Sequence, residues 1–279
     1  MLIKITKQTL KIFIKSLIPP IIFFMLNKIR IKKYGWKGEY KTWAQAKNDS
    51  TGYDTNTILQ AVKESSLKVK NGQAIYERDS VLYDEIHYSW PLLASILLCA
   101  TKNGKLNVVD FGGSLGSTYF QNKKFLDKIN KVDWSVIEQK HFVDTGNEEF
   151  EDERLHFYHD FKTCMKEQKN DIILLSSVLQ YIEKPYILLD NILQYNFEYI
   201  VIDKTPFSLD NEDHIKLQVV SPNIYEACYP SWLFSEKSLI EYFTSNSYTL
   251  FEKFSDEDSL HANKNDLFEF NGMVWEKNQ

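Results

Sequence analysis

A short apolar run in the middle of the chain ends in an acid and is followed by three glycines within five residues. It is VVDFGGSLGS, residues 108–117. A glycine turn between a strand and a helix lets the backbone approach a ligand closely, with the N–H groups of the helix N-terminus facing that ligand. The candidate binding residues of this turn are Asp110, Gly112, Gly113, Ser114 and Gly116.

The spacing of the glycines decides between ligand classes. The dinucleotide pattern G-x-G-x-x-G would need glycines at positions 112, 114 and 117, but Ser114 and Ser117 occupy the last two. The G-K-[ST] of a phosphate loop is absent. Both an NAD site and an ATP site are therefore disfavoured.

Acids and small polar residues also follow the next three apolar runs. Glu138 ends the segment WSVIEQ, and a carboxylate there can accept hydrogen bonds from both hydroxyls of a ribose. FYHDF places Asp160 and Phe161 after the third run, and DIILLSSVLQYI places Ser176 and Ser177 after the fourth. Because ligands bind at the carboxyl ends of parallel strands, we expect these side chains to surround one ligand.

Together these segments resemble the class I S-adenosylmethionine-dependent methyltransferases. The turn is similar to motif I of that family, with Ser114 in place of the usual middle glycine. The resemblance implies that Asp110 orients the methionine end of S-adenosyl-L-methionine. It also implies that Asp160 contacts the adenine amino group, that Phe161 packs on the ring, and that residues 176–177 lie beside the transferable methyl group.

The resemblance extends over nearly the whole chain from Tyr34. The segments GWKGEYKTWAQAKNDSTGYD, YERDSVLY, IDKTPF and IYEACYPSWLFS resemble methyltransferases found in bacterial surface-polysaccharide gene clusters. This resemblance implies a cytoplasmic enzyme of polysaccharide biosynthesis that O-methylates a saccharide or a lipid-linked saccharide. Within YERDSVLY, Arg78 and Asp79 could reach the amino-acid end of the cofactor or form a surface ion pair.

A hydroxyl acceptor benefits from a general base with a pKa near neutrality, and histidine is the first residue type to consider. Of the six histidines, only His214 lies in the long irregular segment after the fifth strand. Aromatic rings beside polar groups suit a sugar ring, and this segment carries several. We therefore predict His214, Tyr229 and Asp203 as catalytic residues. The alternative is that the aromatics only pack the segment onto the sheet and that His214 is solvated.

Apolar runs alternating with amphipathic helical stretches must position these residues. Such alternation indicates a doubly wound parallel sheet covered on both faces. The last two runs follow the helical segment SEKSLIEYFTSN and are expected to close the sheet as an antiparallel edge pair. We predict an α/β, Rossmann-like class I methyltransferase fold with a mostly parallel seven-stranded sheet. Its predicted strands are 106–111, 133–137, 155–158, 171–175, 198–203, 247–253 and 268–275.

Charge divides the chain into a basic start and an acidic body. Residues 1–33 contain eight Lys/Arg and no acid, whereas the remainder has 25 basic and 38 acidic residues, which argues against a nucleic-acid partner. The apolar run 16–27 is too short to span a bilayer, which needs about 20 residues. Peripheral contact with an anionic membrane and packing on the body or a second subunit both stay open for residues 1–33. We expect an aromatic arm and helix over residues 34–75 and the methyltransferase domain over residues 76–279.

The cysteines give no sign of a metal site, and two alternative functions remain. Three cysteines without a CxxC pair indicate reduced thiols and no metal site. Two other functions stay open: a non-catalytic methyltransferase-fold module in an assembly complex, and a sugar-nucleotide oxidoreductase.

Overall fold

A computed structural model describes residues 34–51, 55–167, 171–221, 224, 227–255 and 268–278. The prediction of a basic amphipathic segment over residues 1–33 lies outside these ranges. None of the helices formed by the described residues is long and apolar enough to cross a membrane.

The described residues form twelve strands, eight α-helices and one short 3₁₀ helix, Leu179–Tyr181. The strands are β1 (Gly35–Tyr40), β2 (Tyr76–Arg78), β3 (Val81–Tyr83), β4 (Leu106–Phe111), β5 (Val132–Ile137), β6 (Leu155–Tyr158), β7 (Ile172–Ser176), β8 (Tyr199–Ser208), β9 (His214–Val219), β10 (Cys228–Leu233), β11 (Tyr248–Ser255) and β12 (Phe268–Lys277). The helices are α1 (Trp43–Asp49), α2 (Thr55–Lys70), α3 (Trp90–Asn103), α4 (Ser117–Leu126), α5 (Lys140–Glu149), α6 (Phe161–Glu167), α7 (Pro185–Leu193) and α8 (Glu236–Ser245).

The central sheet has the strand order β11-β12-β8-β7-β4-β5-β6. The five strands β8, β7, β4, β5 and β6 run parallel, and β12 pairs antiparallel with both β8 and β11. This order confirms the predicted Rossmann-like methyltransferase fold. The strand order reverses between β4 and β7, so the site for a ligand is expected at the carboxyl ends of these two strands.

The predicted strands agree with the observed ones to within two residues at each end, except at β8. The sequence predicted that this strand stops near Asp203, but it continues to Ser208 and pairs with β12 along its length. Thr42 caps α1, since its side chain accepts a hydrogen bond from the Gln45 N–H at 3.3 Å.

Alternate residues of the parallel strands pack into two separate apolar clusters. Val108 of β4 and Leu174 of β7 belong to one cluster, and their chain neighbours Val109 and Ile173 belong to the other. All four are almost fully buried. Because each face of the sheet is covered, consecutive apolar residues predominate in these strands, and the sheet holds its strand ends in fixed places.

The segment after β8, which was predicted to be irregular, contains two strands. β9 pairs antiparallel with β10 on one side and with β1 of the aromatic arm on the other, which makes a second, three-stranded sheet. Trp36 fixes the arm by donating from Nε1 to Ser231 Oγ at 3.1 Å. Trp43 stacks on Trp232 with the ring centroids 5.8 Å apart. The arm is thus tied to the segment that follows β8.

Candidate functional site

A cavity of about 750 Å³ opens at the carboxyl ends of β4, β5 and β7. Its walls also include the β2–β3 hairpin, the start of α1 and parts of β9 and β10. Eight of the predicted site residues line it: Asp110, Gly112, Gly113, Ser114, Glu138, Ser176, Ser177 and Tyr229.

Two adjacent glycines after β4 pack so closely against neighbouring side chains that neither position has room for a Cβ. Gly112 has a φ of +74°, and a Cβ on it would lie 2.5 Å from Val178 Cγ2. A Cβ on Gly113 would lie 2.5 Å from Asp110 Cγ. Both distances are far inside normal contact, so the turn requires glycine at these positions. The result is a bare backbone cradle at the strand end.

Asp110 lies beneath this cradle and is only 1% exposed. Its Oδ2 accepts a hydrogen bond from Trp134 Nε1 at 3.2 Å. Burial raises the pKa of Asp110 to about 7, and the hydrogen bond from Trp134 opposes that rise. The carboxyl group therefore changes its charge near neutral pH.

Glu138 lies at the end of β5, at the edge of the cavity. Its carboxylate accepts the Gln139 N–H at 2.6 Å and also a backbone N–H of Ser114. Burial raises the pKa of Glu138, and the two N–H donors oppose this. Ser114 keeps the left-handed conformation of the glycine it replaces, with a φ of +56°. Its link to Glu138 uses the backbone and does not need the serine side chain.

The end of β7 presents a serine backed by a buried acid. Ser176 Oγ donates to Asp203 Oδ2 at 3.2 Å. Asp203 is 2% exposed and lies outside the cavity lining, behind Ser176. Ser177 follows with a φ of +55°, and its N–H donates to the Asp203 carbonyl at 2.9 Å.

Three predicted cofactor residues do not reach the cavity lining. Gly116 is the N-cap of α4, with a φ of +87°. Asp160 is exposed and caps α6 by accepting the Thr163 N–H at 2.8 Å. Phe161 is 5% exposed and stacks on Phe111 with the centroids 5.4 Å apart, inside the apolar core. His159, which the sequence did not single out, lines the cavity near this strand end.

His214 also lies outside the cavity lining, although it was predicted as the general base. Its Nε2 is 2.9 Å from Asp210 Oδ2, and its Nδ1 is 3.6 Å from Glu39 Oε2. The imidazole therefore joins the turn before β9 to β1 of the arm. The structure gives it a surface ion-pair geometry and does not bring it to the strand ends.

The β2–β3 hairpin contributes charged residues that sequence patterns did not reveal or left undecided. Glu77 lines the cavity, is 3% exposed and finds no hydrogen-bond partner of normal geometry for Oε2 among the described residues. Its Oε1 accepts hydrogen bonds from Ser66 Oγ at 3.2 Å and from Ser117 Oγ. Arg78 lines the same cavity; burial lowers its pKa, but the charges of Asp79, Tyr76 and Asp203 raise it above the ordinary value.

The opposite wall, which faces β9 and β10, is aromatic and polar. It includes Trp43, Tyr181, Gln218 and Tyr229. The Tyr181 hydroxyl donates to Gln218 Oε1 at 2.7 Å, and the rings of Tyr181 and Tyr229 meet edge to face with centroids 5.1 Å apart. The cavity thus has a charged half near the hairpin and the strand ends, and an aromatic half beneath the second sheet.

No protein-family model matches the sequence. No curated protein matches it either. Solved structures with a similar chain include a Burkholderia thailandensis 1,6-didemethyltoxoflavin-N1-methyltransferase with bound 1,6-didemethyltoxoflavin and S-adenosylhomocysteine, at 11% identity and a TM-score of 0.42, covering 82% of this chain and 92% of that one.

Two further solved structures are similar at the same level. The N-terminal domain of EvdMO1 with SAH bound has 12% identity and a TM-score of 0.49, covering 81% of this chain and 98% of that one. A SAM-dependent methyltransferase from Methanosarcina mazei has 11% identity and a TM-score of 0.46, covering 67% and 97%. Likeness at this level does not assign a function, which has to be inferred from the residues of the cavity.

Proposed function

We propose that the protein is a methyltransferase that binds S-adenosylmethionine in the cavity at the ends of β4, β5 and β7. The observation that carries this proposal is the pairing of a bare glycine cradle, Gly112–Gly113, with the carboxylate of Glu138 on the neighbouring strand. The cradle admits a ligand against the backbone, and the carboxylate suits the two hydroxyls of a ribose. Both sit at the switch point of a doubly wound sheet, where such folds bind nucleotide ligands.

The lining fits the parts of this cofactor. Glu138 would accept the ribose hydroxyls, and Gly112–Gly113 would cradle the methionine end. Ser176 and Ser177 line the cavity at the end of β7, and we propose that they lie beside the methyl group to be transferred. When bound, S-adenosylmethionine supplies a methyl group on a positively charged sulfur, so the protein needs chiefly to align an acceptor with it.

The aromatic half supports a polar ring as acceptor. Tyr229 and Tyr181 form a corner of two rings, and the Gln218 amide lies beside them. Flat aromatic faces next to hydrogen-bonding groups favour a sugar ring. We therefore propose a saccharide hydroxyl as the methyl acceptor. The place of this reaction in surface-polysaccharide assembly is proposed from the sequence resemblance alone.

A proton must leave a hydroxyl acceptor during transfer, and the structure offers Ser176 and Asp203 for it. Ser176 faces the cavity and hydrogen-bonds to the buried Asp203 at 3.2 Å. Ser176 Oγ would accept the proton of the acceptor hydroxyl and pass its own proton to Asp203 Oδ2, while the bound cofactor would supply the methyl group that the acceptor oxygen takes up. In this proposal Asp203 takes the part first predicted for His214.

Isothermal titration calorimetry tests the cofactor assignment directly. The protein is titrated with S-adenosylhomocysteine, NAD and a nucleotide sugar. We expect saturable binding of S-adenosylhomocysteine alone, whereas binding of NAD without it would replace the proposal with an oxidoreductase. Transfer of a labelled methyl group to a panel of saccharides then separates an enzyme from a non-catalytic module, which would bind the cofactor and methylate nothing.

The proposed membrane contact of residues 1–33 has its own test. Full-length protein and a variant lacking residues 1–33 are sedimented with anionic liposomes. Equal recovery of both in the pellet would exclude a role for this segment.

A further inference from the structure

We infer that Glu77, rather than the acid of the glycine turn, is the counter-ion for the ammonium group at the methionine end of the cofactor. The inference rests on the proposed function. It departs from the expectation that Asp110, at the end of β4, orients this group. The contacts of the two carboxylates distinguish them.

Asp110 is held by protein groups on its cavity side. It is 1% exposed, and its Oδ2 is engaged by Trp134 Nε1. The backbone of Gly113 packs directly on the carboxylate, since even a methyl group there would lie 2.5 Å from Asp110 Cγ. Asp110 also lines the cavity, but its carboxyl group is held by Trp134 and packed against the glycine turn, so we assign it the support of the turn.

Glu77 has the opposite arrangement. Ser66 of α2 and Ser117 at the start of α4 both donate to Oε1, which fixes the side chain from two helices. Among the described residues, none hydrogen-bonds to Oε2 with normal geometry, and the backbone N–H of Ser80 is the one further donor near the carboxylate, although Glu77 is 3% exposed and lines the cavity. Buried carboxylate oxygens are normally hydrogen-bonded, so a donor from a ligand is the expected partner. An ammonium group carries three N–H donors and a matching charge.

Arg78, the next residue of β2, lines the same cavity with the opposite charge. A guanidinium group pairs with a carboxylate through two parallel hydrogen bonds. Adjacent negative and positive groups on one strand thus match the ammonium and carboxylate groups that an amino-acid end carries together. The hairpin would recognise the two charges of the amino-acid end, while the glycine cradle would contact only the uncharged part of the ligand.

Calorimetry with two commercial probes tests the assignment. S-adenosylhomocysteine carries the amino-acid end, and 5′-methylthioadenosine lacks it. We expect Glu77→Gln to weaken S-adenosylhomocysteine binding by about 10- to 100-fold, the loss of one charge-assisted contact, and to leave 5′-methylthioadenosine binding within about threefold. Glu77→Asp, which keeps the charge, should recover part of the difference in affinity between the two probes. Glu85→Gln, at an exposed glutamate outside the cavity lining, is the control and should change neither affinity.

Other outcomes overturn the inference in distinct ways. Equal loss of both affinities in Glu77→Gln would mean that Glu77 only supports the fold, and unchanged affinities would remove it from the site. If Asp110→Asn alone abolished discrimination between the probes, the ammonium would belong to Asp110. If Glu77→Gln does not fold, Glu77→Asp is measured in its place. The inference is overturned if Glu77→Asp discriminates between the two probes as strongly as the wild type, or if it weakens the binding of both probes equally. Failure of the wild type to bind S-adenosylhomocysteine would refute the proposed function itself.

Discussion

Replacing Asp110 with asparagine should stabilise the unliganded protein, by an amount that grows with pH. Burial raises the pKa of Asp110 from 3.8 to about 7. Between these two values the unfolded chain has lost the proton and the folded chain still holds it, so stability falls as pH rises, by about 1.4 kcal/mol per pH unit. Above pH 7 the full cost of keeping the buried charge is about 4 kcal/mol. Asparagine removes that charge, and its carbonyl oxygen can still accept the Trp134 N–H.

Urea unfolding followed by far-ultraviolet circular dichroism measures the effect. Asp110→Asn should exceed the wild type in free energy of unfolding by roughly 2 kcal/mol at pH 5 and roughly 4 kcal/mol at pH 9. Asp144→Asn is a control of opposite sign, because the hydrogen bond from Lys140 lowers the pKa of that exposed carboxylate. Its small stabilising contribution is present at high pH and is lost as pH falls toward acid. A difference between Asp110→Asn and the wild type that stays constant from pH 5 to pH 9 would refute the reasoning.

Three further substitutions separate the parts of the site. Gly113→Ala should lower the free energy of unfolding by about 1–3 kcal/mol, because the added methyl would lie 2.5 Å from Asp110 Cγ, and an unchanged urea midpoint would contradict the cradle geometry. Ser114→Gly should alter stability by less than about 1 kcal/mol, since relief of the φ of +56° offsets the extra freedom of glycine in the unfolded chain. Its calorimetric affinity for S-adenosylhomocysteine should be unchanged, because the Ser114 N–H remains. Ser176→Ala should slow methyl transfer to an acceptor found in the saccharide panel by about 100-fold or more, with its pH dependence altered and cofactor affinity retained, whereas an unchanged rate would remove Ser176 and Asp203 from the proton path.

The central sheet could be predicted because its parallel strands are buried on both faces and are therefore rich in consecutive apolar residues. The strands of the second sheet carry a weaker signal. Ile215, Leu217 and Val219 of β9 do alternate with polar residues, which is the pattern of a strand with one buried face. Pro230 interrupts the strand pattern of β10, and it is tolerated because β10 is an edge strand. β1 contains Gly35 and Gly38 and pairs only with a strand about 180 residues later, so no local pattern reveals it.

The site residues at strand ends could be predicted for a similar reason, because a parallel sheet brings consecutive strand ends to one edge. Asp110 and Glu138 illustrate this. Glu77 could not be found in the same way, since β2 has three residues and the contacts that define Glu77 come from α2 and α4. His214 was predicted as a site residue but lies outside the cavity lining. It was selected for its chemistry alone, and the pairing of β9 with β1 placed it beside Glu39 and Asp210.

Backbone strain at the strand ends gives an independent reason to regard this edge as functional. Ser114 after β4, Ser177 after β7 and Lys204 within β8 all have a positive φ, although none is glycine. A left-handed conformation costs such a residue about 1–2 kcal/mol, and it persists only where the surroundings enforce it. Each of these three conformations directs a backbone group into a hydrogen bond. The Ser114 N–H donates to Glu138, and the Ser177 N–H donates to the Asp203 carbonyl. The Lys204 carbonyl accepts a hydrogen bond from the buried Gln180. Glycine at position 114 would avoid the strain in the folded state without loss of that N–H. The serine side chain is therefore tolerated and not required, and a loss of S-adenosylhomocysteine affinity in Ser114→Gly would instead show that the ligand uses its hydroxyl group.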